Sequence, residues 1–147
     1  MALAERSANV SWRGDLLTGS GELQLDSGAA PTLPVSWSAR TEDANGRTSP
    51  EELLAGAQAT CFAMAFSSNL AKAGHPAERL DVTASCTLDR VDGAATVTAM
   101  AIRVRGKVPG MDAETFTQVA EEAAQGCPIA KVLRGNLEES LEVEFDG

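Results

Sequence analysis

Residues 49–74 constrain the fold of this chain most strongly, because they are predicted to form one long helix rich in apolar and small residues. Ser49 is a favourable N-cap, Pro50 suits the first helical position, and Glu52 completes a capping box with Ser49. Gly74 suits the left-handed residue that follows a helix, and the His-Pro pair after it cannot continue the helix. Apolar residues occupy most sides of this stretch, so we expect a central helix that is buried nearly all round.

The segments before and after this helix alternate apolar and polar residues, as strands do. Strands are predicted at 9–13, 21–26, 33–40, 80–91, 94–107 and 137–145. The third of these ends with Arg40 on its polar side. A second helix is expected to begin at an Asp112 cap and to end at Gly126, and a short third helix to start at Pro128 with Cys127 as its N-cap. This order of elements predicts an α+β domain with antiparallel strands.

Length and charge limit the classes of function. A chain of 147 residues is expected to form one domain, residues 1–147, that buries about two thirds of its unfolded surface. The net charge is -9 and the 12 Lys and Arg residues are scattered, so we expect no nucleic-acid partner and no anionic membrane surface as partner. The most apolar stretch, 53–66, is too short to span a bilayer, and the first ten residues do not resemble a secretion signal. We therefore expect a cytoplasmic protein.

The three cysteines, at positions 61, 86 and 127, are an odd number and fit a reducing compartment. Cys61 lies in the middle of the apolar helix, where it is either a small core residue or a reactive thiol. Cys127 lies at a helix N-terminus, where the helix dipole stabilises a thiolate, so the two suggest a dithiol pair. Cys86 falls on the inward side of a regular strand, which predicts core packing.

Charged residues near the start of the long helix are candidates for activating a thiol. Glu52 has the capping role, whereas Glu51 either complements the helix dipole or orients a cationic partner. Roughly 15 Å of helix rise separates Glu51 from Cys61, so an arginine or a second subunit would have to connect them. Arg40 is the first candidate and Arg47 the second, and each is otherwise a solvated surface charge. A fixed guanidinium lowers the pKa of a nearby thiol, ordinarily about 8.5, and polarises a peroxide oxygen.

Other kinds of site find no support in the sequence. One histidine and three dispersed cysteines have no zinc or iron spacing, so no metal is expected. There is no Walker A loop, no GxGxxG after a strand and no GxSxG elbow, which removes nucleotide, dinucleotide and serine-hydrolase interpretations.

The segment SPEELLAGAQATCF, with GCPIAKVL downstream, resembles the OsmC/Ohr family of osmotically inducible and organic hydroperoxide resistance proteins. The segments SWRGD, LDRVDG and VPGMDAETF extend the resemblance over most of the chain, and it is closer to the OsmC branch than to the Ohr branch. The resemblance implies an OsmC-like α+β fold, with antiparallel sheets packed on a long central helix. It also implies a tightly intertwined homodimer with active sites at the subunit interface, and a thiol-dependent peroxidase that reduces organic hydroperoxides.

The same resemblance assigns roles to individual residues. Cys61 matches the peroxidatic cysteine and Cys127 the resolving cysteine; Glu51 matches the glutamate that holds an arginine, Arg40, against the thiolate, with Arg47 as the substitute. The implied cycle takes the Cys61 thiolate through a sulfenic acid to a Cys61–Cys127 disulfide. An external dithiol, such as the dihydrolipoyl group of a lipoylated protein, would then reduce the disulfide. No resident cofactor is implied.

Apolar neighbours of the long helix give a further expectation. Phe62, Met64, Phe66 and Phe116 are expected either to line a pocket for an alkyl peroxide or to pack in the core. The alternative to the enzyme is a non-catalytic module on the same fold, which senses redox state or binds a hydrophobic ligand. The enzyme would consume peroxide catalytically when a dithiol is present, whereas the module would be oxidised stoichiometrically or would take up ligand.

Overall fold

A computed structural model describes residues 1–147. The chain forms two compact units, 1–53 and 54–147. The first unit contains β1 (Ala8–Arg13), β2 (Ser20–Leu25), β3 (Leu33–Val35) and α1 (Ser38–Thr41). The three strands form one antiparallel sheet in the order β1-β2-β3. Leu23 of β2 is buried, whereas Val10 and Trp12 of β1 are exposed. The first two predicted strands are confirmed.

The predicted strand 33–40 is wrong beyond Val35, because the chain turns into the short helix α1. The Ser36 hydroxyl accepts a hydrogen bond from the Ala39 N–H at 3.2 Å, and the Glu42 N–H donates to the Ser38 carbonyl at 2.8 Å. A serine that satisfies a free backbone N–H stabilises a helical turn at the expense of an extended strand. Arg40 therefore lies on α1 and not on the polar side of a strand.

The long helix α2 (Pro50–Lys72) begins where the sequence predicts. The Ser49 hydroxyl accepts from the Glu52 N–H at 3.2 Å, as an N-cap does. In a capping box the Glu52 carboxylate would accept a hydrogen bond from the Ser49 N–H. Here it accepts one from the Thr48 hydroxyl at 2.7 Å instead. At the other end Gly74 has a φ of 85°, which only glycine adopts freely, and it ends the helix as predicted.

Only one stripe of α2 is buried within residues 54–147. Gln58, Phe62, Phe66 and Leu70 follow one another at four-residue spacing and are each at most 1% exposed. Met64, on another side of the helix, is 68% exposed. The prediction of burial nearly all round is therefore wrong for the single chain, because one side of the helix packs on the core and the others do not. None of the helices is long and apolar enough to cross a membrane.

The second unit continues after α2 with two strands, two helices and a strand. These are β4 (Arg79–Val91), β5 (Ala94–Lys107), α3 (Ala113–Gly126), α4 (Pro128–Leu133) and β6 (Glu138–Phe145). Asp92 and Gly93 both have positive φ, 50° and 82°, as the tight turn between the adjacent antiparallel strands β4 and β5 requires. The Asp112 side chain caps α3 through the Thr115 N–H at 2.8 Å, also as predicted.

One strand pairing departs from the antiparallel expectation. The sheet order is β4-β5-β6, and β6 runs parallel to β5. The two helices between these strands return the chain to the end of the sheet where β5 began, and parallel strands require such a crossover. The α+β class itself is confirmed.

Aromatic rings fill the core of the second unit. The ring centroids of Phe62 and Phe66 are 5.6 Å apart, those of Phe66 and Phe116 are 5.0 Å apart, and those of Phe116 and Phe145 are 4.8 Å apart. Phe62, Phe66 and Phe116 are 0% exposed, and burying each contributes about 1.5–3 kcal/mol. They therefore belong to the core, which is one of the two roles expected for them, whereas Met64 is exposed.

Candidate active site

The two cysteines predicted to form a dithiol pair meet within residues 54–147. Their Sγ atoms are 2.7 Å apart, although 66 residues separate them along the chain. A disulfide has a sulfur–sulfur distance of about 2.0 Å, so only a small approach would join them. Cys61 on α2 is half-buried and Cys127 is fully buried.

Local structure fixes Cys127 between two helices. Its N–H donates to the Ala123 carbonyl at 3.0 Å and closes α3, and its carbonyl accepts from the Lys131 N–H at 3.1 Å and opens α4. Pro128 occupies the first turn of α4 and fixes the direction of the chain after the cysteine. Cys61 is anchored differently, because its neighbour Phe62 is buried in the core.

The surroundings of Cys127 favour its protonated form. Burial raises the pKa of the Cys127 thiol, and its hydrogen bond with Cys61 raises that pKa further. The backbone N–H groups of Ala130 and Ile129 lower it, but burial outweighs them. The start of the short helix therefore lowers the Cys127 pKa as expected of a helix N-terminus, but it offsets only part of the effect of burial. The protonated Cys127 thiol donates a hydrogen bond to Cys61 Sγ.

Glu51 holds an arginine within residues 1–53. Arg40 Nη2 lies 2.6 Å from Glu51 Oε1, and Arg40 Nε lies 3.1 Å from Oε2, which is the bidentate geometry of a strong ion pair. The guanidinium carbon also lies 5.3 Å from the centroid of the Trp37 ring, within cation–π range. Arg47 lies in the exposed loop after α1. Of the two candidate arginines, Arg40 is therefore the one that pairs with Glu51.

An apolar cavity of about 280 Å³ lies beside Arg40 in the first unit. Its lining includes the side chains of Trp12, Leu16, Val35 and Trp37. The sequence interpretation missed these residues. The sequence signal that could have indicated them is the apolar pair Val10 and Trp12, which lie two residues apart and therefore on one face of a predicted strand.

The third cysteine lies in the sheet of the second unit. Cys86 lies in β4 opposite Met100 of β5 and is half-buried, on the inward side that the alternation predicts. No three side chains of His, Cys, Asp and Glu are grouped as a metal site requires. The expected absence of a metal and the assignment of one domain to residues 1–147 stay predictions.

Comparisons with known proteins agree with this architecture. The family described as OsmC-like protein matches residues 42–142. The Escherichia coli (strain K12) protein named Peroxiredoxin OsmC is 36% identical over 132 residues, which cover 90% of this chain and 92% of that protein. The organic hydroperoxide resistance protein of Xanthomonas axonopodis pv. citri is 29% identical over 97 residues, 64% of this chain and 65% of that protein.

The fold has a counterpart among solved structures. The structure of the organic hydroperoxide resistance protein OsmC from Legionella pneumophila matches with a TM-score of 0.76 at 20% identity, over 98% of this chain and 99% of that chain. At 20% identity this match supports the fold alone. Membership of a family is supported instead by the family match and by the 36% identity to the Escherichia coli protein. The higher identity to OsmC than to the hydroperoxide resistance protein also fits the OsmC branch. The chain therefore belongs to the OsmC family of proteins.

Proposed function

We propose that this protein is a thiol-dependent peroxidase that reduces organic hydroperoxides to alcohols. The observation that carries the proposal is the 2.7 Å separation of the Cys61 and Cys127 sulfurs, one half-buried and one fully buried. The names of the relatives, Peroxiredoxin OsmC and organic hydroperoxide resistance protein, support the same class of reaction.

The proposed cycle uses each cysteine once. The Cys61 thiolate attacks the outer oxygen of the hydroperoxide, the O–O bond breaks, and the alkoxide takes up a proton to leave as an alcohol. Cys61 is then a sulfenic acid. The Cys127 thiolate attacks Cys61 Sγ, the S–S bond forms as the S–O bond of the sulfenic acid breaks, and the hydroxide takes up a proton and leaves as water. An external dithiol reduces the disulfide and is itself oxidised; we propose a dihydrolipoyl group as this donor.

Arg40 is the proposed cation for the thiolate and for the peroxide oxygens. Glu51 is buried, and its carboxylate accepts two hydrogen bonds from the guanidinium. These bonds fix the orientation of the Arg40 side chain, which is otherwise flexible.

The proposed assembly is a homodimer. The exposed sides of α2 carry Met64, 68% exposed, and small residues that include Gly56 and Ala57. An apolar side of a helix with small residues allows a second helix to approach closely. Analytical ultracentrifugation at micromolar concentration would measure the mass, and a monomer would contradict the proposal.

A count of thiols tests the proposed function. We expect native protein to lose two thiols after one equivalent of an alkyl hydroperoxide, and peptide mapping to locate a disulfide between Cys61 and Cys127. With excess dithiol the same protein should consume many equivalents of peroxide. Oxidation that stops after one equivalent, even with dithiol present, would instead favour the non-catalytic redox-sensing module, and unchanged thiols would contradict both.

Replacing Arg40 by alanine is expected to slow the oxidation of Cys61 by about 10²-fold, because a fixed charge that stabilises reacting atoms is lost. Glu51→Gln should have a smaller effect in the same direction, since a neutral amide would hold the Arg40 guanidinium more weakly but leave its charge in place. Stopped-flow oxidation with limiting peroxide measures this rate.

The matched control for this prediction is Arg47→Ala, which removes an exposed arginine seven residues away and should leave the rate unchanged. If Arg47→Ala slowed the oxidation and Arg40→Ala did not, the roles of the two arginines would be exchanged.

The raised pKa of Cys127 predicts how disulfide formation depends on pH. The attacking form of Cys127 is the thiolate, and a raised pKa makes it scarce at neutral pH. Its fraction therefore rises about tenfold per pH unit and continues to rise above about pH 8.5, the value of an ordinary thiol. Rapid quenching with a thiol-alkylating reagent, from pH 6 to pH 10, measures the second step. A rate that levels off below about pH 8 would contradict the prediction.

A further inference from the structure

A second cavity, of about 510 Å³, lies within residues 54–147, and its lining includes a buried amide oxygen without a protein partner. Gln58 of α2 is 1% exposed and lines this cavity. No protein group donates a hydrogen bond to its Oε1 atom. A buried carbonyl oxygen that loses water and gains no donor costs free energy, so nearly all such groups are satisfied by some partner.

The position of Gln58 makes this amide unusual. It continues the buried stripe of α2, in which the next members are Phe62, Phe66 and Leu70. An aliphatic side chain at position 58 would extend that stripe with no unsatisfied polar atom. The amide oxygen therefore points to a partner that enters the cavity and donates a hydrogen bond.

The lining of the cavity defines that partner further. Apolar side chains next to the amide come from Ile102, Ala124 and Leu141. Carboxylates also line the cavity, from Glu121 and Glu122 on α3 and from Glu139 on β6. These six groups favour a ligand with an aliphatic body and a positive charge.

One basic residue, Arg134, also lines the cavity, and its Nη2 is already bound to the Gln125 carbonyl at 2.8 Å. With three carboxylates against one guanidinium, the cavity keeps a net negative charge. Burying an ammonium group next to the apolar floor would be costly, whereas a neutral hydroxyl or amide donor is suited to Gln58.

We propose that this cavity is a binding site for a small aliphatic amine that carries a neutral hydrogen-bond donor at its other end. The donor binds Gln58 Oε1, the methylene chain packs on Ile102 and Leu141, and the ammonium group lies among the glutamates. Gln58 precedes Cys61 by three residues on α2, and Gln125 precedes Cys127 by two, so the site adjoins the elements that carry both cysteines. The proposal concerns binding alone and does not depend on the peroxidase activity.

The probe for the test is 5-amino-1-pentanol, added to the reduced full-length protein and followed by NMR. We expect saturable shifts of the Gln58 side-chain amide and of the Ile102, Ala124 and Leu141 methyl groups. Pentylamine lacks the hydroxyl and should bind about five-fold more weakly, the value of one lost hydrogen bond. 5-Hydroxypentanoate reverses the charge and should not bind.

Variants locate the two contacts. Gln58→Met should lower the affinity for aminopentanol to that for pentylamine, whereas Gln24→Met, the same exchange at an exposed position of β2, should change nothing. Glu139→Gln should weaken both amines, and Glu114→Gln, on the exposed first turn of α3, should not.

The proposal is overturned if aminopentanol produces no saturable shifts in wild-type protein, which would leave water as the partner of Gln58. It is also overturned if hydroxypentanoate binds as tightly as aminopentanol. If Gln58→Met does not fold, the comparison of the two amines on wild-type protein decides the role of the hydroxyl contact.

Discussion

Replacing Cys61 by serine is expected to abolish catalytic consumption of an alkyl hydroperoxide, with kcat/KM lowered at least about 10³-fold. Serine has nearly the same shape, so the buried stripe of α2 is preserved. Its hydroxyl is not ionised at neutral pH, and its oxygen cannot form the sulfenic acid from which the disulfide arises. Peroxide consumption with excess dithiol, measured under steady-state conditions, gives the result.

The cysteine in β4 supplies the matched control. Cys86→Ser makes the same chemical change at a half-buried position outside the Cys61–Cys127 pair, and it should retain nearly all of the activity. Thermal unfolding of both variants establishes that they fold. Multiple turnovers by Cys61→Ser would refute the proposed mechanism, because that mechanism requires the Cys61 sulfur in every cycle.

The elements that could be predicted from the sequence are those encoded by neighbouring residues. The start of α2 depends on Ser49 and its reach to the Glu52 N–H, and the β4–β5 turn depends on two residues that tolerate positive φ. The Asp112 cap acts over three residues. Such interactions are complete within one turn, so a local pattern specifies them.

The errors arose where distant or competing interactions decide the structure. Apolar alternation through residue 40 favours a strand, but one hydrogen bond to the Ser36 hydroxyl is enough to stabilise a turn there. The alternation of apolar and polar residues likewise predicts which face of β6 points inward, but not whether β6 runs parallel or antiparallel to β5. The helices between the two strands determine that direction. Burial on one stripe of α2 depends on which elements pack there, and composition does not specify that.

The candidate site shows the same division. The residues suggested a thiol pair, and the resemblance assigned the pairing, but no local pattern could place two sulfurs 66 residues apart at 2.7 Å. Two arginines were open as partners of Glu51, and the turn of α1 brings Arg40 to it. The protonated state favoured at Cys127 could not be anticipated, because its largest cause is burial by the surrounding fold.

Replacing Cys127 by serine is expected to separate the two steps of the proposed cycle. The first equivalent of peroxide should still oxidise Cys61, at a rate within about three-fold of wild type, because Cys127 takes no part in breaking the O–O bond. The sulfenic acid then lacks its partner sulfur, and steady-state turnover should fall about 10- to 100-fold, since an external thiol must replace a group already in contact. Trapping with dimedone and mass spectrometry would detect the accumulated sulfenic acid on Cys61.

Cys127→Ala refines this prediction, since serine retains a hydroxyl that can donate to Cys61 Sγ as the thiol does. If the first oxidation slows in the alanine variant and not in the serine variant, the hydrogen bond from position 127 assists the Cys61 sulfur before any disulfide forms. If both variants turn over as fast as wild type, Cys127 is not the resolving residue. The 2.7 Å contact would then be a packing contact between a reactive thiol and a buried one, and the disulfide would have to be removed from the mechanism.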